Sequence, residues 1–150
     1  MIDLYTWQTP NGRKVSIMLE EIGIDYKVFP INIAKDEQFQ PHFLEISPNN
    51  RIPAIIDKDN NNYSLFESGA ILMYVAEKSG KLINKSNSDE YFRTIEWLMW
   101  QMGGVGPMFG QVHHFVKYNK GKSQYAEERY SKEARRLYGV MNKRLNSHQY

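Results

Sequence analysis

Three short segments carry polar groups where they could grip and activate a small anionic ligand. Residues 48 to 53 read Pro-Asn-Asn-Arg-Ile-Pro, a turn built on Asn49 and Asn50 that runs into an apolar strand from Ile52 to Asp57. Proline is tolerated in a strand only at edges and special positions, so the backbone beside Ile52 is expected to stay unpaired. Residues 66 to 71, Phe-Glu-Ser-Gly-Ala-Ile, set Glu67 and Ser68 between a short strand and a segment with Ile71, Tyr74 and Val75 at helical spacing. Ser68 reads as an N-cap, and a helix start offers N–H donors and partial positive charge to a carboxylate. Thr9-Pro10-Asn11-Gly12 opens another helix, where donors on Thr9 and Asn11 and the helix's positive end could face a thiolate and lower its pKa. Tyr5 lies on the first strand, where an inward-facing tyrosine more often packs.

The elements that must hold these groups follow from periodicity. Ile2 to Trp7 reads as a strand, followed by a helix with Val15, Met18, Leu19 and Ile22 on one face and Gly23 as its stop. Tyr26 to Ile33 alternates as a second strand; the polar stretch Ala34 to Gln40 leads into a short helix over 41 to 46. Ile52 to Asp57 and Tyr63 to Phe66 form a hairpin, and the helix from Ser68 ends at Ser79-Gly80. This β-α-β-α-β-β-α order is a thioredoxin-like layout over residues 1–81. Residues 82–88 are a polar linker, and 89–150 read as helix throughout. Ser88-Asp89-Glu90 caps a run through Ile95, Trp97, Leu98 and Trp100, which Gly103, Gly104, Gly106 and Pro107 interrupt. Tyr130, Ala134, Leu137, Met141 and Leu145 mark one face of a last amphipathic helix.

Composition narrows the chemistry. The 150 residues are 41% hydrophobic and 24% charged, which suits a folded chain and not a disordered one. A net charge of +2 with scattered Lys and Arg and no basic, aromatic-interleaved stripe argues against nucleic acid. No apolar run approaches the roughly 20 residues that span a bilayer, and the start has no signal-peptide pattern, so a cytoplasmic protein off the membrane is expected. There are no cysteines. Any thiol chemistry therefore needs a sulfur brought by a ligand. His113 and His114 are adjacent and point apart on a helix, so no metal site is expected. Trp97, Trp100, Met102 and Met108 read as core or dimer contact.

In its motifs the chain resembles the glutathione transferases along nearly its whole length. Thr-Pro-Asn-Gly at 9 to 12, Ser-Pro-Asn-Asn-Arg-Ile-Pro-Ala-Ile at 47 to 55, Leu-Phe-Glu-Ser-Gly-Ala-Ile at 65 to 71 and Gly-Pro-Met-Phe-Gly-Gln at 106 to 111 are similar to the bacterial nu class, which is related to a yeast nitrogen regulator. The resemblance implies an α/β thioredoxin-like N-terminal domain plus an all-α C-terminal domain. It also implies a homodimer that binds glutathione or its disulfide and reduces disulfide bonds, with little conjugating activity. Members of the class continue for roughly fifty to sixty more residues of helix than this chain, so an incomplete, C-terminally truncated helical domain is expected, with its last apolar face incompletely covered.

Residue by residue, the resemblance implies a cis Ile52-Pro53 bond whose turned backbone pairs with the cysteinyl unit of glutathione like an added strand. Ser68 would hold the γ-glutamyl carboxylate and Glu67 would accept from its α-ammonium, so both ends of one zwitterion are matched. Thr9 and Asn11 are the sulfur-side residues. Gln38 and Arg51 are candidates for the glycyl end, and Arg129 matches an arginine of the class that reaches the ligand. The expected activity is glutathione-dependent thiol–disulfide exchange on a small disulfide or, with the same thiolate, attack on an electrophile. The rival is a non-catalytic module that keeps the fold and dimer but recruits a protein partner. An intact ligand set favours the enzyme, because a scaffold has no need of Asn11, Glu67 and Ser68 together.

Overall fold

The computed structural model describes residues 1–148, and the chain divides into two compact units, Met1–Phe92 and Arg93–Tyr150. The first is built on a four-stranded sheet in the order β2-β1-β3-β4, with β1 Ile2–Thr6, β2 Tyr26–Pro30, β3 Ala54–Asp57 and β4 Tyr63–Phe66. β1 pairs parallel with β2 and antiparallel with β3, which pairs antiparallel with β4. Helices α1 Pro10–Ile22, α2 Pro41–Leu44 and α3 Ser68–Ser79 complete the expected thioredoxin-like order.

Strand alternation splits the core in two. Ile2, Leu4 and Ile55 meet Val15, Leu19 and Ile22 of α1 and Ile71 and Val75 of α3 on one face. On the other, Ala54 packs with Ile31 and with Phe43 of α2, and Tyr5, Ile46, Ile52 and Phe66 close around them. Each fully buried aliphatic side chain contributes about 1.5 to 3 kcal/mol of burial free energy. Gly23 and Gly80 end α1 and α3 in the left-handed conformation, φ 74 and 67, where a Cβ would be strained.

Several boundaries differ from the sequence expectation. β3 begins at Ala54 and not Ile52, because Pro53 has no N–H for the ladder and follows a cis peptide bond. β2 ends at Pro30; the chain then turns through a short 3₁₀ segment, Ile33–Lys35, capped by the Asn32 side chain, which accepts from Ala34 N–H at 3.0 Å. Ser88 is the first residue of α4, Ser88–Trp100, and the cap is Asn87, whose Oδ1 accepts from the N–H groups of Asp89 and Glu90.

In the second unit the glycines do not break the helix. They widen it: a π-helical segment over Gln101–Val105 leads into α5, Gly106–Val112, and a second one covers His113–Tyr118. The small residues accept the looser turns, and Pro107, which has no N–H for the ladder, follows the wide segment directly in the first turn of α5. α6, Gln124–Leu145, is capped by Ser123 and buries Leu137 from the expected stripe, while Tyr130 stacks on Phe115 at 5.4 Å. Leu145, at the end of that stripe, is exposed.

Candidate glutathione site

Sheet register gathers most of the predicted site residues at one end of the first unit. Ala54 lies opposite both Tyr5 near the end of β1 and Phe66 at the end of β4, and Thr6 pairs with Pro30 at the end of β2. The segments leaving those positions therefore share one end of the sheet: 7–12 into α1, 31–40, 47–53 ahead of β3, and Glu67–Ser68 into α3. A ligand lying across that end meets loops and helix starts, not strand interiors.

At the α1 start, Thr9 is extended, at φ −126 and ψ 159, and caps the helix by accepting from Gly12 N–H at 3.2 Å. A threonine hydroxyl has one proton besides its lone pairs, so a cap that uses the oxygen as acceptor leaves the proton to donate elsewhere. Asn11 is exposed in the first helical turn. Tyr5 is committed to packing, stacked on Phe29 at 4.9 Å and tilted against Phe43 at 6.4 Å; burial and then the Asp3 charge push its pKa up.

The 47–53 loop is anchored from below. Ser47, fully buried, donates from Oγ to the Arg51 carbonyl at 2.8 Å and accepts the Asn50 N–H on its own carbonyl at 2.9 Å. Asn50 takes φ 47, a conformation its short polar side chain tolerates better than most. This holds Arg51 outward and exposed, and Ile52 just ahead of the first ladder residue, Ala54.

At the α3 start the expected cap shifts by one. Glu67 is the N-cap, and Ser68, 4% exposed, is the first helical residue. The Glu67 carbonyl accepts from Ile71 N–H at 2.9 Å, while its backbone sits at φ 74 and ψ 115. A glutamate held at positive φ is strained by about 1 to 3 kcal/mol, and such strain concentrates at ligand clamps. The Glu67 side chain makes no cap bond and is exposed. Its charge is opposed from α1 by Lys14, half-buried, whose pKa burial lowers against the pull of Glu67.

Gln38 is buried near this end, with Oε1 lacking any hydrogen-bond partner among the described residues and Nε2 3.5 Å from Asp36 Oδ1. A buried amide oxygen left unmatched costs about 1 to 3 kcal/mol unless a ligand or water completes it. Arg129 is carried by the other unit. It is exposed on α6 and lines a cleft of about 830 Å³ with Gly103, Met108, Tyr125 and Lys132. His113 and His114 are exposed, and among the described residues no group of three or more His, Asp or Glu could hold a metal ion.

Sequence reasoning missed Ser47, Lys14 and the burial of Gly12 against the end of β1. A serine directly before Pro-Asn-Asn was the available signal for a turn anchor; Lys14 and Gly12 required tertiary distances. It also missed Asp57, at the opposite end of the sheet. That carboxylate is fully buried and accepts from Tyr74 Oη at 2.6 Å, Lys78 Nζ at 2.7 Å and Asp59 N–H at 3.0 Å. Burial alone would raise its pKa, but the bonds from Lys78, Tyr74 and Asp59 outweigh it and hold the group below the usual range.

Residues 1–77 match the family described as "Glutathione S-transferase, N-terminal domain". The "Disulfide-bond oxidoreductase YfcG" of Escherichia coli K12 is 50% identical over 151 residues, covering 98% of this chain and 70% of the relative. The "Disulfide-bond oxidoreductase YghU" of the same organism is 38% identical over 156 residues, 99% of this chain and 54% of the relative. Among solved structures, a glutathione transferase family member from Pseudomonas fluorescens pf-5 with two glutathione bound superposes at TM-score 0.93, with 49% identity over 98% of this chain and 66% of that one. A glutathione transferase from Pseudomonas putida with one glutathione disulfide bound per subunit gives TM-score 0.91 and 45% identity over 99% of this chain and 66% of that one. The chain thus spans between about half and 70% of these relatives' lengths. Fold, motif order and identity of this extent agree, and the chain belongs to the glutathione transferase family.

Proposed function

We propose that this protein is a glutathione-dependent thiol–disulfide oxidoreductase, with bound glutathione thiolate as the nucleophile. The observation that carries the reading is the convergence of four segments on one end of the sheet, including a glutamate at positive φ and a buried amide oxygen without a partner among the described residues. In this reading Ser68 and the first-turn N–H groups of α3 take the γ-glutamyl carboxylate, and Glu67 takes the ammonium. Ile52, ahead of Pro53, pairs with the cysteinyl backbone, and Gln38 and Arg51 serve the glycyl end. The glutathione-binding domain is 1–81, linked through 82–88 to the helical domain from 89.

Thr9 donates its hydroxyl proton, and Asn11 its amide, to the glutathione sulfur, stabilising the thiolate at the positive end of α1. The thiolate attacks one sulfur of a small disulfide, forming a mixed disulfide and expelling the other sulfur as thiolate, which takes a proton. A second glutathione thiolate attacks the glutathione sulfur of that mixed disulfide, giving glutathione disulfide and the second reduced thiol. Two glutathiones are oxidised and one disulfide is reduced. The protein supplies position and thiolate fraction and needs no cysteine. Attack on an electrophile would draw on the same thiolate.

The protein acts in the cytoplasm as a homodimer formed between the thioredoxin-like domain of one subunit and the 88–111 helix of the other, in keeping with the exposed Phe92 and Met99 on that helix. Light scattering coupled to size exclusion tests the assembly: a monomer with intact glutathione binding would remove the dimer. For the chemistry, Thr9→Ala/Asn11→Ala should slow reduction of a small disulfide far more than it weakens glutathione binding. Unchanged turnover across a pH series would take the sulfur away from these residues. Glutathione binding without any disulfide reduction would favour the recruiting module instead.

A further inference from the structure

We propose that Gly12 is a positioning residue for the sulfur end of the site, because the contact that holds Thr9 in place occupies the space where any side chain at 12 would stand. The inference rests on the reading of Thr9 and Asn11 as the sulfur-side residues. Gly12 lies in the first turn of α1 and is buried. A Cβ built there would collide with Thr6 Oγ1 and stand 2.6 Å from the Trp7 carbonyl oxygen. Neither approach is tolerable, and the second involves backbone. Gly12 has no positive φ, so conformational freedom does not explain it. Glycine within a helix instead costs about 0.5 to 1 kcal/mol relative to alanine, so the close approach is what the residue serves.

The Trp7 carbonyl oxygen that the Cβ would strike is the one that accepts the Thr9 N–H, at 2.7 Å. On its other side Thr9 is held by Gly12 itself, whose N–H donates to Thr9 Oγ1 at 3.2 Å, and its carbonyl accepts from Arg13 N–H at 3.0 Å. Thr9 is therefore pinned between the end of β1 and the first turn of α1, and the absence of a side chain at 12 sets their separation. The Gly12 bond also fixes the use of the Thr9 hydroxyl, occupying a lone pair and leaving the proton to donate. Pushing the helix start off β1 would move the hydroxyl and Asn11 together relative to a sulfur held by the other segments.

The test compares wild type, Gly12→Ala, Thr6→Ala/Gly12→Ala, Thr6→Val and Thr9→Ala/Asn11→Ala, each checked for fold by circular dichroism. Readouts are KM for glutathione, kcat for a small disulfide, and the pKa of the bound glutathione thiol followed by thiolate absorbance. A displacement of about 1 Å can cost about 10²-fold in rate, so Gly12→Ala should lose kcat on that scale and raise the bound-thiol pKa. KM should move less than about threefold, because Glu67, Ser68 and Ile52 lie on other elements. Thr6→Ala removes the side-chain collision and should restore part of the loss. Thr6→Val replaces the hydroxyl that donates to the same Trp7 carbonyl at 3.5 Å with a methyl group, should shift kcat and thiol pKa in the same direction by less, and decides the matter if Gly12→Ala does not fold. Wild-type kcat and thiol pKa in Gly12→Ala, or in Thr6→Val where that variant decides, overturn the inference if Thr9→Ala/Asn11→Ala is impaired. If that double variant is also unaffected, the sulfur-side reading falls and this inference with it.

Discussion

The two compact units are packed in different ways. Among the described residues, every fully buried hydrophobic side chain but one belongs to the first unit; the exception is Leu137 on α6. The first unit buries aliphatic residues on both faces of a sheet. The helical unit relies on ring contacts, Trp97 against Trp100 at 5.2 Å and Phe109 against Tyr138 at 4.8 Å, with π-helical turns between them. A sheet covered on both faces fixes its loops within a narrow geometry, which a strained Glu67 and a buried Gly12 require. Helices joined by wide turns specify their neighbours less tightly, because ring pairs add only about 0.5 to 1.5 kcal/mol each beyond their burial.

The sharpest way to break this comparison is to cut an equal side chain from each unit. Leu4→Ala, at the centre of the first core, should cost about 4 kcal/mol, and Leu137→Ala about 2 kcal/mol, because a loosely packed site collapses more readily around the void. Urea melts of both variants decide it, and equal losses would mean that the helical unit is packed as tightly as the sheet.

Asp57→Ala leaves Lys78 and Tyr74 without their shared acceptor and should destabilise the first unit by about 3 kcal/mol, read in the same melts. The pH dependence has a definite sign. Asp57 titrates lower in the fold than unfolded, so its contribution is fully present above the unfolded carboxylate value of about 3.9 and is lost as pH falls through its folded value. Lys78, raised by its bond to Asp57, contributes below its unfolded value of about 10.4 and loses that as pH rises through the folded one. Asp57→Ala should flatten both limbs of the stability profile.

Much of this was legible in the sequence, for reasons that differ by region. Period-2 and period-3.6 patterns at Ile2/Leu4, at Val15/Leu19/Ile22 and at Ile71/Val75 identify elements whose buried faces are this regular. Local chemistry at single residues was harder. Ser68 and Ser88 are good N-caps by type, yet the caps are Glu67 and Asn87, one residue earlier in each case. Propensity does not anticipate a glutamate at φ 74. The glycines at 103, 104 and 106 read as a break because glycine weakens α-helix, whereas wider turns absorb them. Asp57 acts through contacts to Tyr74 and Lys78, far away in sequence, Gly12 through a close approach that exists only once β1 and α1 are packed, and Ser47 through local bonds to Asn50 and Arg51 that its residue type alone does not single out.

Ser68→Ala is the smaller test within the first unit. It should weaken glutathione binding by about 1 to 3 kcal/mol by removing a charge-assisted contact. Binding and melts together separate that outcome from a purely structural serine, for which stability alone would fall.

The most direct measurement is a calorimetric titration of the wild-type protein and Glu67→Gln with reduced and with oxidised glutathione. Saturable one-site binding of glutathione to wild type is expected, with clear weakening in a Glu67→Gln protein that melts like wild type. No saturable heat with either ligand, or equal affinity in the two proteins, would contradict the claim that the strained start of α3 and the loops beside it form a glutathione site.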